Sequence, residues 1–189
     1  VVGALGLLED AESMCNTAFK DEGDLVLLLG AAAVSGEAHS LSGSAYLEAV
    51  HGRVAGVPSI DLELESRVLR LCRHAIEEEL LLSAHDCSDG GLAVSLAESC
   101  IVGGIGFRGT FPVEGRLDAA LFGEAQSRIV VSLSPQDMAR FEEMASEGGV
   151  PWVRLGSVGG TTFSLPPLMD VPVAELGAAW KGGLEKALG

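Results

Sequence analysis

The amino-acid sequence predicts an α+β fold: a mixed β-sheet with helices on both faces, in a three-layer α/β/α arrangement. Three observations favour it. Residues 24–30 form an almost entirely apolar run bounded by turn residues, as expected for a strand buried on both faces. Apolar residues recur with helical spacing from Ile60 to Ala75. A strand, a helix and a strand follow one another over residues 129–158, which indicates a β-α-β unit.

The composition indicates a globular chain with an aliphatic core. Of the 189 residues, 48% are hydrophobic and only 5% aromatic. The formal net charge is −15, and the 12 Lys and Arg residues form no basic run, so we expect no nucleic-acid partner. No apolar run reaches the roughly 20 residues of a membrane helix. We therefore expect no membrane association and a cytoplasmic location.

The four cysteines, at positions 15, 72, 87 and 100, have neither CxxC nor zinc-ligand spacing. We expect four free thiols in a reducing compartment, with Cys72 and Cys100 in the core. A nucleophilic Cys87 is the weaker alternative, because nothing in the nearby sequence would clearly lower its pKa.

The chain is predicted to hold a connecting segment from a preceding domain at residues 1–20 and one domain at residues 21–189. It starts without Met, and its apolar residues 1–8 are predicted to be a short strand or the exit from that preceding domain. We therefore expect a fragment of a longer polypeptide.

In the N-terminal half, a Gly/Ser loop at residues 35–44 leads into a short helix over residues 45–50. The loop is either an anion cradle or a flexible surface loop. A long helix is predicted from Pro58 to about Leu80. Its exposed side carries two predicted i,i+4 ion pairs, Glu63–Arg67 and Arg73–Glu77.

In the C-terminal half, caps, turns and periodicity predict three further helices, a strand and a hairpin. Gly104, Gly106 and Gly109 match GxGxxG, but they follow a helix and do not open one, so we discount a dinucleotide site. The predicted elements are helices over 93–101, 116–121 and 134–147, a strand over 129–133, strands 150–158 and 161–165 joined by a Gly159–Gly160 hairpin turn, and a terminal helix over 172–188.

The stretch Ser83–Leu92 concentrates polar side chains in a predicted turn ahead of an apolar helix. Such a turn offers backbone N–H groups and the positive end of a helix dipole, which suit a phosphate or a metal-bound phosphate. The alternative is that Asp86 or Ser88 only caps the helix and the glycines permit a tight turn. The positions concerned are His85, Asp86, Ser88, Asp89, Gly90 and Gly91.

A second polar group precedes the predicted strand 129–133. Glu124, Gln126 and Arg128 alternate, so an extended backbone would point all three side chains the same way. A carboxylate, an amide and a guanidinium on one face would form a polar edge for a ligand. The alternative is a solvated surface ladder.

The pattern His-Asp-x-Ser-Asp-Gly-Gly-Leu within residues 83–92 resembles the C-terminal domain of the aminoimidazole ribonucleotide synthetase superfamily. Within that superfamily the chain is most similar to the phosphoribosylformylglycinamidine synthases. Further matching stretches lie in the expected order at residues 2–10, 41–47, 122–128 and 178–180. The resemblance implies the C-terminal-domain fold of that superfamily. It also implies that the chain is the last such domain of a duplicated synthetase.

The resemblance further implies one domain of a purine-biosynthesis ligase. That enzyme converts formylglycinamide ribonucleotide, glutamine and ATP to formylglycinamidine ribonucleotide, glutamate, ADP and phosphate. ATP/ADP and Mg²⁺ are the implied cofactors. The implied partners are sister domains of the same synthetase, a glutaminase subunit or domain, and a small-molecule nucleotide substrate. We expect the isolated chain to be inactive, because phosphoryl transfer requires several groups held together.

Two alternatives to the ligase hypothesis remain. One is a non-catalytic scaffold that packs sister domains and the glutaminase partner. The other is a different ATP-dependent member of the superfamily, against which residues 124–128 and the Ala178-Ala179-Trp180 tail argue.

The resemblance also implies roles for individual residues, none of them catalytic. Asp86 matches a magnesium-binding Asp, and Ser88 and Asp89 match a nucleotide- and metal-contacting pair. Glu124-Ala125-Gln126 match a substrate-contacting Glu-Ser-Gln triplet, although Ala125 lacks the hydroxyl. This pattern fits the copy of the repeat whose nucleotide site is mainly structural. We expect a metal ion to bind at Asp86 and Asp89 and a nucleotide or phosphate to bind at His85, Ser88, Gly90 and Gly91. We expect substrate to bind at Glu124, Gln126 and Arg128.

Overall fold

The computed structural model describes residues 3, 6–7 and 14–188. The prediction of a strand or exit segment at residues 1–8 lies largely outside the described residues, as does much of the predicted connecting segment. The strands are β1 (Leu25–Leu29), β2 (Val34–Gly36), β3 (Ser83–Asp86), β4 (Phe107–Gly109), β5 (Val113–Gly115), β6 (Ile129–Leu133), β7 (Trp152–Val158), β8 (Thr162–Leu165) and β9 (Met169–Pro172).

Seven of these strands form one mixed sheet in the order β3-β6-β1-β7-β4-β8-β9. β4 and β8 are parallel, whereas the other neighbours are antiparallel. β2 and β5 form a separate parallel pair. The helices are α1 (Ala45–His51), α2 (Leu62–Glu77), α3 (Gly91–Gly103), α4 (Leu117–Phe122), α5 (Met138–Glu147) and α6 (Val173–Leu188).

The interior strand β1, third in the order of the sheet, is buried along its whole length and separates two hydrophobic clusters. Val26 and Leu28 pack with side chains of α3 and α4 on one face. Leu27 and Leu29 pack with side chains of α2 and α5 on the other face. The predicted three-layer α/β/α arrangement is therefore confirmed. Over the described part of the chain, none of the helices is both long and apolar enough to cross a membrane.

The β-α-β unit at residues 129–158 is confirmed as a split unit. β6 and β7 lie on either side of β1 and both run antiparallel to it, so they are parallel to each other. The predicted hairpin between β7 and β8 is wrong, because β4 lies between them. Gly159 and Gly160 do form a turn, but its backbone bonds to Gly106: Gly106 N donates to Gly160 O and Gly159 N to Gly106 O, both at 2.8 Å.

The prediction of a turn throughout Ser83–Leu92 is also wrong in its first half, because Ser83–Asp86 is an edge strand. Its inward hydroxyl, Ser83 Oγ, lies 2.6 Å from Ser132 Oγ of β6 in the buried sheet. The long helix begins later than predicted: the Asp61 carboxylate caps α2 by accepting from Glu63 N at 2.9 Å and Leu64 N at 3.1 Å. The other predicted helices are present, with bounds that differ by a turn or less.

Candidate functional site

One end of the sheet gathers the two polar segments that the sequence indicated. β3 and β6 are antiparallel, with Asp86 opposite Ile129. β1 and β6 are also antiparallel, with Leu29 opposite Ile129. The segments that follow β1 and β3 therefore leave the sheet beside the segment that enters β6.

A cleft of about 280 Å³ opens at this end of the sheet, beside α2. It is lined by six of the predicted site residues: Asp86, Ser88, Asp89, Glu124, Gln126 and Arg128. α2 adds Glu65, Val68 and Leu69, which the sequence did not indicate as site residues. The sequence pattern of α2 indicates a helix but no ligand. Its position beside these loops depends on the tertiary structure.

The three other predicted site residues, His85, Gly90 and Gly91, do not line this cleft. His85 lies on β3 but points toward α3, where its Nε2 is 2.8 Å from Glu98 Oε2. Its Nδ1 lies 3.6 Å from Asp86 Oδ1. His85 is thus a link between strand and helix.

The N-terminus of α3 is capped, but neither by Asp86 nor by Ser88. The N-cap residue is Gly90, in the left-handed region at φ 82°, and it makes no side-chain cap. Glu124 Oε1 instead accepts from Gly90 N at 2.8 Å and from Ala45 N, at the start of α1, also at 2.8 Å. A carboxylate is favourable at both positions because helix N-termini carry partial positive charge. While this contact holds, Gly90 N is not available to a phosphate.

The prediction that Glu124, Gln126 and Arg128 share one strand face is wrong. β6 begins only at Ile129, and Ser127 has φ 62°, which interrupts the alternation. Glu124 reaches α1 and α3, and Gln126 is exposed. Arg128 turns back on its own loop, where Nε donates to Ala125 O at 3.1 Å and a terminal nitrogen donates to Gly123 O.

The cleft is acidic in balance. Burial lowers the pKa of the Arg128 guanidinium, which still stays protonated at neutral pH. Within the described residues Arg128 makes no ion pair, and two of its donors are already held by backbone carbonyls. It is the single guanidinium of the lining, against four carboxylates: Glu65, Asp86, Asp89 and Glu124. A phosphate group would therefore enter more favourably together with a cation.

Cys87 and Ser127 also line the cleft. Burial raises the pKa of the Cys87 thiol, although the nearby Arg128 charge opposes this, so Cys87 is not an activated nucleophile. Ser127 is 9% exposed, and its Oγ has no hydrogen-bond partner among the described residues. A buried hydroxyl without a hydrogen-bond partner, on a residue whose φ lies in the left-handed region, is typical of a functional loop. No sequence pattern had indicated Ser127.

The residues fit a metal ion only in part. Across residues 14–188, no three His, Cys, Asp or Glu side chains are grouped to hold one. Asp86 is 72% exposed at its side chain, and Asp89 is exposed as well. Mg²⁺ commonly uses one or two carboxylates and takes its other ligands from water and phosphate oxygens. Asp86 and Asp89 suit that mode of binding.

The Gly/Ser loop at residues 35–44 lies on the other side of the 125–128 segment. It overlaps the end of β2 and contains a 3₁₀ turn at Ala38–Leu41. Ser40 Oγ donates to Ala119 O at 3.1 Å, and Ser40 O accepts from Glu124 N at 2.7 Å. The loop therefore supports the segment that carries Glu124.

Comparison with known proteins identifies the relatives of this chain. Residues 21–164 match the family described as AIR synthase related protein, C-terminal domain. The chain is 46% identical, over 99% of its length, to phosphoribosylformylglycinamidine synthase subunit PurL of Anaeromyxobacter sp. (strain Fw109-5), of which it covers 25%. It is 43% identical, over 97% of its length, to the subunit PurL of Thermomicrobium roseum, of which it again covers 25%. The chain thus spans about a quarter of the curated relatives that it matches.

Solved structures share the fold. Thermotoga maritima PurL complexed with FGAR superposes with a TM-score of 0.72 at 20% identity, covering 88% of this chain and 30% of that one. The hydrogenase maturation protein HypE of E. coli superposes with a TM-score of 0.53 at 12% identity, covering 84% of this chain and 51% of that one. At these identities the likeness concerns the fold.

Proposed function

The chain belongs to the AIR synthase related proteins, whose C-terminal domain it matches, and we propose that it is one such domain of a phosphoribosylformylglycinamidine synthase. The observation that carries this proposal is the 46% identity to a PurL subunit along 99% of the chain. The whole enzyme would convert formylglycinamide ribonucleotide, glutamine and ATP to formylglycinamidine ribonucleotide, glutamate, ADP and phosphate. Because the chain spans a quarter of such subunits, sister domains would supply the remaining parts of the active site.

The role proposed for this domain is to bind the phosphates of ATP or ADP together with Mg²⁺ in the cleft. Asp86 and Asp89 would hold the Mg²⁺, whose charge neutralises phosphate oxygens, and the Ser88 hydroxyl would donate to a phosphate. The acidic lining supports the involvement of Mg²⁺, because its four carboxylates would repel a phosphate that is not accompanied by a cation. PurL of T. maritima has been solved with ATP and with ADP, which also supports a nucleotide ligand.

The size of the cleft indicates that it holds only part of a nucleotide. Its volume of about 280 Å³ is slightly below the range of about 300–1,000 Å³ that small-molecule sites occupy. The exposed Gln126 would contact substrate or the rest of the nucleotide. Glu124 and Arg128 would position the loop, since their polar atoms are engaged with backbone groups. His85, Gly90 and Gly91 would support the cleft from outside it.

The partners follow from the same proposal. Sister domains of the synthase and a glutaminase would contact this domain, as the solved T. maritima PurLQS assembly suggests for a relative. The four free cysteines agree with a reducing compartment, and we place the protein in the cytoplasm.

A non-catalytic scaffold is the second candidate function, and one observation favours it. The Glu124 carboxylate already occupies the N-terminus of α3, where a phosphate would otherwise be expected. Ala125 also lacks the hydroxyl of the family triplet. In this case the domain would pack its sister domains and the glutaminase, and no residue of the cleft would contact a nucleotide.

Asp86→Ala in the full-length synthase separates the two functions. The Asp86 side chain is 72% exposed, so its loss should change the free energy of unfolding by no more than about 0.5 kcal/mol. If the cleft binds magnesium-bound nucleotide, turnover should fall by about tenfold or more. Glu143→Ala, on the exposed face of α5, is the matched control. Unchanged turnover in Asp86→Ala, or a loss of thermal stability alone, would favour the scaffold.

A further inference from the structure

A second groove, of about 510 Å³, lies between α2 and α5 and shares no lining residue with the cleft described above, although α2 contributes to both. We call it the α2–α5 groove. Arg67, Arg70, Arg73 and His74 of α2 line it, over the apolar side chains of Leu71 and Met144. The whole chain has a formal charge of −15 and only 12 Lys and Arg residues. Three arginines along one groove are therefore a local concentration of positive charge on an otherwise acidic protein.

Two of these arginines have no carboxylate partner. The predicted pair Glu63–Arg67 is not formed, and no ion pair among the described residues involves Arg67 or Arg70. The predicted pair Arg73–Glu77 is confirmed, at 3.6 Å. His74 Nδ1 also lies near Glu77, at 3.9 Å. Glu77 thus offsets Arg73 and leaves two guanidinium groups in the groove.

Arg67 carries the clearest sign of a missing acceptor. Its Nε is fully buried and has no hydrogen-bond partner within the part of the chain that the structure describes. A buried donor without an acceptor is destabilising, so such atoms are normally paired with protein, water or ligand. Because that atom is shielded from solvent, the Arg67 guanidinium must shift toward the groove before a ligand oxygen can accept from it.

The arrangement of the basic side chains suits a phosphate group. Arg67, Arg70 and His74 are spaced i, i+3 and i+7, which places them on one face of α2. Two guanidinium groups one turn apart present planar donor forks that match phosphate oxygens. The volume of about 510 Å³ lies within the range of small-molecule sites, and Leu71 and Met144 offer an apolar floor to the rest of a ligand.

We propose that the α2–α5 groove binds a small phosphate-bearing molecule without a metal ion, through Arg67 and Arg70. The chemistry is opposite to that of the cleft, where four carboxylates require a cation to accompany phosphate. Two carboxylates, Glu77 and Glu147, also line the groove, but Arg73 pairs with the first of them. The site is independent of the proposed synthase function and shares no lining residue with the cleft.

The test is calorimetric titration of inorganic pyrophosphate into the chain with EDTA present, which removes metal-dependent binding at the cleft. The wild-type chain should bind, and the affinity should fall as salt is raised. Arg67→Gln/Arg70→Gln should weaken binding by about tenfold or more. Arg53→Gln/Arg154→Gln removes the same charge from exposed positions elsewhere and should bind like the wild type.

Several outcomes would overturn the proposal. These are no metal-free binding by the wild-type chain, equal weakening in both double variants, or undiminished binding by Arg67→Gln/Arg70→Gln. Circular dichroism and a thermal melt establish that each variant is folded, and Arg67→Lys/Arg70→Lys, which keeps the charge, should retain part of the affinity. Binding of a Glu-rich peptide but not of pyrophosphate would overturn the proposal as well and would make the groove a protein-docking surface.

Discussion

At the scale of single residues, the Glu124 carboxylate holds two helix N-termini together. It accepts from Gly90 N, 34 residues away in the chain, and from Ala45 N, 79 residues away. The sequence identified Glu124 as a polar residue near a ligand, but it could not identify a cap whose partners are so distant. Local capping patterns extend over about three residues, so only the tertiary structure assigns this role.

Glu124→Ala should therefore destabilise the fold. The substitution leaves two backbone N–H groups without their acceptor and removes a negative charge from two helix N-termini, at an expected cost of about 1–3 kcal/mol in the free energy of unfolding. Urea denaturation measures it. Glu142→Ala, at an exposed position of α5, should change the same free energy by less than about 0.5 kcal/mol. Equal stability of the two variants would show that the Glu124 contacts contribute nothing.

The cysteines should differ in reactivity because they differ in burial, and burial raises the pKa of a thiol. The pKa is raised to about 11 for Cys72 and to about 12 for Cys100. Since a raised pKa keeps a thiol protonated, raising the pH from 7 to 9 should leave both unreactive toward iodoacetamide in the folded chain. Cys15, which is only partly buried, should be alkylated first. Mass spectrometry after timed quenching assigns the sites, and fast labelling of Cys100 at pH 9 would refute this order.

At the scale of elements, long periodic segments were predictable and short ones were not. β1 and α2 have apolar patterns that specify their type, and β1 is indeed an interior strand of the sheet and buried along its length. β3 and β4 have only four and three residues and no distinctive periodicity. Their identity depends on partners distant in the sequence, such as Ser132 for β3. The position of the cleft depends on this pairing, so the sequence indicated its residues but not how they meet.

The close approach of α3 to the loop before β6 can be tested at Gly91. Gly91 has φ 68°, and a Cβ there would lie 2.4 Å from Gly123 O. Gly149 has φ 59° and nothing within 4 Å of a Cβ, so Gly149→Ala measures the backbone cost alone, about 1 kcal/mol. Gly91→Ala should cost a further 1–3 kcal/mol or so, because Gly123 must move. Equal losses of unfolding free energy in urea would argue against this contact.

At the scale of the whole molecule, the two faces of the sheet and its one polar end have separate roles. Both faces are covered by helices over largely aliphatic clusters, as the composition predicted, although Phe19, Phe107 and Phe163 lie in one cluster and Phe141 in the other. The cleft lies at the polar end of the sheet, because three segments leave or enter the sheet there. The acidic balance of the cleft follows from an acidic chain. Because carboxylates predominate in the lining, a divalent cation rather than basic side chains would neutralise the phosphates of the proposed nucleotide.

The most direct test of the nucleotide proposal is calorimetric titration of Mg-ADP into the chain and into Asp86→Asn. We predict that the wild-type chain binds, and that Asp86→Asn binds about tenfold more weakly or not at all, because it loses a carboxylate ligand of Mg²⁺. Glu143→Gln should bind like the wild type. Absence of binding by the wild-type chain, or equal affinity in Asp86→Asn, would contradict the assignment of a magnesium-bound nucleotide to this cleft.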